Sequence, residues 1–186
     1  MRGVFRSTDL AHLFGNEKGS TLGKRIRYLI DRGDLERVQR GLFISKDASL
    51  EEIAARMYPE GYLSLTTALS RHGMIGTRPL RTVDILTPRP RPKEQVTSLG
   101  TIMMHVQKKA YHVGYIPKDG VNVATPEKAF IDTCYFHLRK VRFPFSVGSD
   151  LHVAKLDLDR VEDMLKRYRN PRFVRFVLNL LESYGR

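Results

Sequence analysis

Acid–base chemistry needs a carboxylate and a proton carrier on one surface, and Glu127, Lys128 and Asp132 offer both, with Lys128 and Asp132 four residues apart on one helical face. The simpler reading of that pair is a surface ion pair contributing roughly 0.2–0.5 kcal/mol, with Glu127 favoured near a helix start by the helix dipole. Ser64, Ser70 and His72 supply a nucleophile and a base, but neither serine stands in a nucleophile elbow, and helix capping and packing account for both. Asp84 and Glu94, with Lys93 beside them, loosely match the carboxylates of metal-dependent nucleases, whose two-metal chemistry needs clustered acids. Here Pro88, Pro90 and Pro92 stand between them and argue for a rigid loop. The histidines, His12, His72, His105, His112, His137 and His152, show no paired metal-ligand spacing. Cys134 is the only cysteine, which excludes an internal disulfide and a cysteine-rich zinc site and leaves an ordinary buried thiol. The expectation is a chain that is not an enzyme, with no cofactor and no metal site; a nuclease-like or nucleotidyl-transfer activity stays open as an alternative.

The charge carries more information. A formal net charge of +12 over 186 residues points to a polyanionic partner, and nucleic acid is a commoner one than a membrane for a compact basic domain. Residues 1–46 hold ten Lys/Arg against five Asp/Glu, residues 137–186 hold eleven against six, and the stretch between them has eleven against nine. The two ends are therefore the candidate surfaces for an anion. No run approaches the ~18 apolar residues of a membrane span, and "MRGVFRSTDL" lacks a signal-peptide core, so a cytoplasmic protein with no membrane partner is expected.

The elements that must position these charges follow from periodicity. "STDLAHLF" predicts a helix capped by Ser7 or Thr8, with Leu10, Leu13 and Phe14 inward and Gly15 as its stop. A second helix is predicted from about Ser20 to Arg32, with Leu22, Ile26, Leu29 and Ile30 on one buried face and Gly33 as a left-handed end. "LERVQRGLFIS" then reads as a hairpin turning at Arg40-Gly41. Further helices are expected at "SLEEIAARMYPEG", with Ser49 and Glu52 in capping-box spacing, at "SLTTALSRHG", and at "TPEKAFID", where Pro126 follows a capping Thr125. Strands are expected at "TVDIL", near "TIMMHVQ" and at "VNVA", and "TPRPRPK" as a turn that is solvated or touches phosphate or a partner. Near the end, Asp159 and Glu162 suit a helix start with Val161, Met164, Leu165 and Tyr168 on one face, and "NPRFVRFVLNLLESY" is apolar nearly all round, as for a helix buried in the core or against another chain. The fold class is α+β: a winged helix-turn-helix over residues 1–46 and a mixed α/β domain over 47–186 that ends in two helices.

A helical wheel makes the charged end concrete. With the Leu22/Ile26/Leu29/Ile30 stripe inward, Ser20, Thr21, Lys24, Arg27, Tyr28 and Asp31 point outward. Thr21 and Lys24, near the helix start, are placed for base edges in a major groove. Arg25 and Arg32 on the flanks read as phosphate clamps, with Arg37, Gln39 and Arg40 on the hairpin. The competing reading is a solvated basic helix that binds nothing.

Three separated segments resemble one family. "DRGDLERVQRGLF" is similar to its basic wing, "GYLSLTTALSRHGMI" to its "GYISLESAL-HGL" segment, and "VATPEKAFIDTCY" to its "ATPEKALLD" segment, in the same order, over roughly residues 4 to 184. The family is that of AbiEi-type antitoxins, predicted transcriptional regulators of type IV toxin-antitoxin systems linked to phage abortive infection. The resemblance implies an amino-terminal winged helix that represses its own operon at inverted repeats in double-stranded DNA, bound as a possible homodimer. It also implies a carboxy-terminal domain that counteracts a neighbouring nucleotidyltransferase-like toxin. By position, the DNA-binding role falls on Thr21, Lys24, Arg25, Arg27, Arg37 and Arg40; "TPEKA" and "SLTTAL" carry no transferable chemical role. Direct contact with the toxin as the main activity is the alternative. Family members usually have another helix ahead of "VFRSTDL", where only six residues precede Ser7, so the expected DNA-binding unit is either shortened or completed by a carboxy-terminal helix.

Overall fold

The computed structural model describes residues 3–77, 79–90 and 93–185. The chain begins β1 (Val4–Arg6), α1 (Ser7–Leu13), α2 (Gly19–Asp31), β2 (Glu36–Gln39) and β3 (Leu42–Ile44), followed by α3 (Leu50–Met57). The predicted hairpin is present: β2 and β3 pair antiparallel, with Gln39 opposite Leu42 across the Arg40-Gly41 turn. β1, not anticipated from the sequence, pairs with the other edge of β3, so that β3 is the central strand of the order β1-β3-β2. Gly33 closes α2 in the left-handed region at φ +73. Its amide donates to the Ile30 carbonyl, and the Asp34 amide donates to that of Leu29, which satisfies the last turn.

β3 is three residues long and all three are buried, because successive side chains of a strand leave on opposite faces. Phe43 joins Leu10, Ile26 and Leu35 in a small core, with Phe5, Phe14, Leu22, Leu29 and Ile30 packed around it. Leu42 and Ile44, together with Val4, face the other way into the large core that holds Ile53, Tyr62 and Phe130. Among the described residues no carboxy-terminal helix contributes to the small core; the hairpin supplies Phe43 to it.

The large core is built on β4 (Tyr62–Leu63), α4 (Leu65–Arg71), β5 (Thr82–Thr87), β6 (Glu94–Thr97), β7 (Gly100–Val106), β8 (Tyr115–Lys118), β9 (Val121–Ala124), α5 (Pro126–His137), α6 (Leu158–Leu165) and α7 (Pro171–Ser183). Its six strands run β6-β7-β5-β4-β9-β8, parallel at β5/β7 and β4/β9 and antiparallel elsewhere. β5, β7 and β9 are the predicted strands. β4, β6 and β8 went unpredicted, two being edge strands and the third only two residues long. The Pro-rich turn falls partly outside the described residues, at Arg91 and Pro92.

Several predicted helix starts differ in detail. Ser7 and Thr8 lie inside α1, whose cap is Arg6, with the Arg6 amide donating to Asp9 Oδ2 at 2.8 Å. Leu13 is 48% exposed and does not join the stripe. α3 keeps its Ser49/Glu52 capping box, and Thr125 Oγ1 accepts from the Lys128 amide at the start of α5. α6 is capped by Asp157, two residues earlier than the expected Asp159. α7 is one-sided: Phe173, Val177, Leu180 and Leu181 are buried, while Arg172, Arg175 and Leu178 are exposed. Nearly continuous apolar spacing therefore overstated its burial.

The largest departure lies in α5. Lys128 and Asp132 are 1% and 0% exposed, an ion pair at the centre of the large core and not on the surface. Lys128 Nζ donates to Asp132 Oδ1 at 2.6 Å, to Gln107 Oε1 at 3.2 Å and to the Tyr168 hydroxyl at 3.3 Å. Asp132 also accepts from Tyr62 and Ser64 hydroxyls on Oδ2 and from Gln107 Nε2 on Oδ1. Burial, and then the Asp132 charge, hold the Tyr62 and Tyr168 hydroxyls well above the usual tyrosine range, so both stay protonated, Tyr62 as a donor to Asp132 and Tyr168 as an acceptor from Lys128. Removing one ion from such a set strands the other without solvent. Asp132→Ala is therefore expected to lose about 3–5 kcal/mol in urea unfolding. Lys128→Met/Asp132→Leu together should lose less than Asp132→Ala alone, because no unpaired charge remains; equal or greater loss would contradict the account.

Candidate nucleic-acid interface

The helix α2 and the β2–β3 hairpin hold their outer faces in place through the small core. Inward, Ile26 is 9% exposed, with Leu22, Leu29 and Ile30 half-buried beside it. Outward, Ser20, Thr21, Lys24, Arg27 and Tyr28 are all exposed, as are Arg25 and Arg32 on the flanks and Arg37, Gln39 and Arg40 on the hairpin. The ten residues predicted from sequence thus lie on the solvent side of the unit. The Ser7 amide donates to the Gly41 carbonyl at 3.1 Å, which pins the hairpin turn to the start of α1.

The ten are not equivalent. Arg25 Nη2 pairs with Glu17 Oε1 at 3.0 Å, and its guanidinium lies 5.1 Å from the Phe14 ring centroid. Arg32 donates to the Tyr28 hydroxyl at 3.2 Å and pairs with Asp34 at 3.1 Å. These contacts raise the Arg32 pKa, the Tyr28 hydrogen bond first and the Asp34 charge second. Tyr28 is 57% exposed, its ring held by the cation stacked near it. Lys24, Arg27, Arg37 and Arg40 have no acidic partner among the described residues. They are the cations available to an external anion.

The start of α2 adds a feature the sequence reading missed. Its N-cap is Lys18, which provides no side-chain hydrogen bond, and no acid stands in the first turn. Ser20 and Thr21 are therefore first-turn residues, beside amide groups that no side chain caps, and a positive helix end with open amides attracts phosphate. The signal was available in "EKGST": Gly19 takes φ +61, so the helix opens before Ser20.

The catalytic alternatives are dispersed. Ser64 donates to Asp132, while His72 Nε2 lies 2.7 Å from the Ala124 carbonyl, so the two do not form a nucleophile–base pair. Asp84 pairs with His105 at 2.9 Å, and Glu94 stands on β6 opposite Met103. Among the described residues no three His, Cys, Asp or Glu side chains gather as a metal site. Nor is any helix among them long and apolar enough to cross a membrane.

No curated protein matches the sequence. The fold is similar to the crystal structure of the RV2827C protein from Mycobacterium tuberculosis, at 18% identity and a TM-score of 0.67, over 98% of this chain and 72% of that one. Residues 1–46, which carry α1, α2 and the hairpin, match the model of the family described as "Transcriptional regulator, AbiEi antitoxin".

Proposed function

We propose that residues 1–46 form a winged helix-turn-helix that reads double-stranded DNA, with α2 in the major groove and the β2–β3 hairpin on the flanking backbone, and that the protein represses a toxin-antitoxin operon. The observation that carries this reading is the unpaired cationic face itself: Lys24, Arg27, Arg37 and Arg40 exposed beside the uncapped start of α2. The match of the same residues to an antitoxin and regulator family supports it. Thr21 and Lys24 then face base edges and set sequence preference. Arg25, Arg27 and Arg32, with Arg37, Gln39 and Arg40, face phosphate and set affinity. Ser20 and Tyr28 border the contact. Inverted repeats would be met by two copies of the chain.

In this reading residues 47–186 serve the antitoxin role, opposing a nucleotidyltransferase-like toxin encoded alongside. The two roles separate by surface. The Lys24→Ala/Arg40→Ala variant is expected to relieve toxin-induced growth arrest as well as the wild type while failing to repress the operon; loss of both together would contradict the division of labour.

Binding to duplex DNA from upstream of the coding sequence, followed over a salt series, tests the DNA role. Affinity should fall steeply with salt, and Arg37→Ala and Arg40→Ala should each lower the slope of log K against log salt by about 0.9. Lys24→Ala should cost about 1–3 kcal/mol on the preferred sequence and much less on a scrambled one. Binding that ignores salt, or a Lys24→Ala variant that binds both duplexes like the wild type, would overturn the proposal.

A further inference from the structure

The second basic end of the chain is not used by the helix-hairpin reader. The segment "HLRKVR" ends α5 at His137 and continues into the turn after it, where Arg139, Lys140 and Arg142 are exposed, and Arg169, Arg172 and Arg175 are exposed just before and within the first turns of α7. The two segments are neighbours because aromatic residues at the end of α5 pack against the first two turns of α7. His137 stacks on Phe176 with centroids 5.9 Å apart, and Tyr135 meets Phe173 edge-on at 5.8 Å. The Arg139 guanidinium lies 3.6 Å above the Tyr135 ring and is held there by a hydrogen bond from Nη1 to the Tyr135 carbonyl. None of the six cations pairs with an acid among the described residues; of the acids in the same part of the sequence, Asp157 pairs with Arg160, Asp163 with Lys166, and Asp150 accepts from the Ser146 amide.

One feature runs against the protein's own electrostatics and a second against its backbone preferences. Cations at the end of α5 complement its dipole, but Arg169 and Arg172 flank the start of α7, where positive charge is disfavoured and no acid stands in the first turn. The turn after α5 closes with the Val141 amide donating to the Phe136 carbonyl and the Lys140 amide to that of His137. This puts Lys140 at φ +63, the left-handed position that glycine normally fills. A lysine held where glycine is easier, and arginines at the wrong end of a helix, point to charge kept for an outside anion.

We propose that this face is a second duplex-DNA contact, clamping phosphates outside the stretch met by α2 and the hairpin. The inference rests on the DNA-binding reading above. It contributes affinity without sequence preference, since phosphates are the same at every base pair.

The test is salt-dependent binding of the full chain to the upstream duplex and to a scrambled duplex of equal length. The variant Arg139→Gln/Lys140→Gln/Arg142→Gln is expected to lower the salt slope by about 2 to 3 and to weaken both duplexes by the same factor, about tenfold or more near 0.1 M salt. Lys140→Gly, which relieves the backbone, should melt no lower than the wild type and still bind more weakly. If the wild type binds no duplex, the DNA reading fails and this inference with it. If the wild type binds, Lys24→Ala weakens it, and both of these variants keep the wild-type slope and affinity, the second contact alone is overturned.

Discussion

The two faces of one short strand set everything else. β3 sends Phe43 into the core shared with α1 and α2, and Leu42 and Ile44 into the core shared with α3 and the six-stranded sheet. A strand of three residues with a sheet partner on each side cannot rotate or slide without moving side chains between cores, because a one-residue slip exchanges its faces. The boundary near residue 46 is therefore one of chain order, and apolar packing crosses it.

That constraint explains how a small unit can present a stiff cationic surface. Among the described residues the core under α2 has only Leu10, Ile26, Leu35 and Phe43 buried, too little apolar area to hold a helix and hairpin alone. Fusion to the larger core through β3, and the bond from the Ser7 amide to the Gly41 carbonyl, supply the missing rigidity. Arg37 then projects from β2 and Arg40 from the turn beside it, both fixed from below. In the larger unit the Lys128–Asp132 pair and its hydroxyl and amide partners play a comparable part, allowing a single arrangement of α5 against β4 and the residue after β7.

The sequence made the outer surface legible and left the inner surface hidden. The Leu22/Ile26/Leu29/Ile30 period sorted the residues of α2 correctly by face, and Gly33 and Gly41 marked its end and the hairpin turn, since these are local signals. Burial of Lys128 and Asp132 was illegible: spacing of four says that two side chains share a face, not what covers it. β4 escaped because two residues have no period, and β6 and β8 because edge strands carry polar residues and, in β8, Pro117. α7 was misjudged because Leu178 and Phe176 extend its apolar face without being fully buried. Of the candidate interface, the exposure of the ten residues was readable, but not the prior engagement of Arg25 with Glu17 or Arg32 with Asp34, which depends on loops closing in space.

Native-state hydrogen exchange on the full chain tests the fusion through β3 most directly. The amides of Leu42, Phe43 and Ile44 should exchange with the same opening free energy as those at the centre of α5, with no separate opening of residues 4–44. Exchange of the amino-terminal amides through a lower-energy opening, while Phe130 and Ile131 stay protected, would show two independent units and contradict the account.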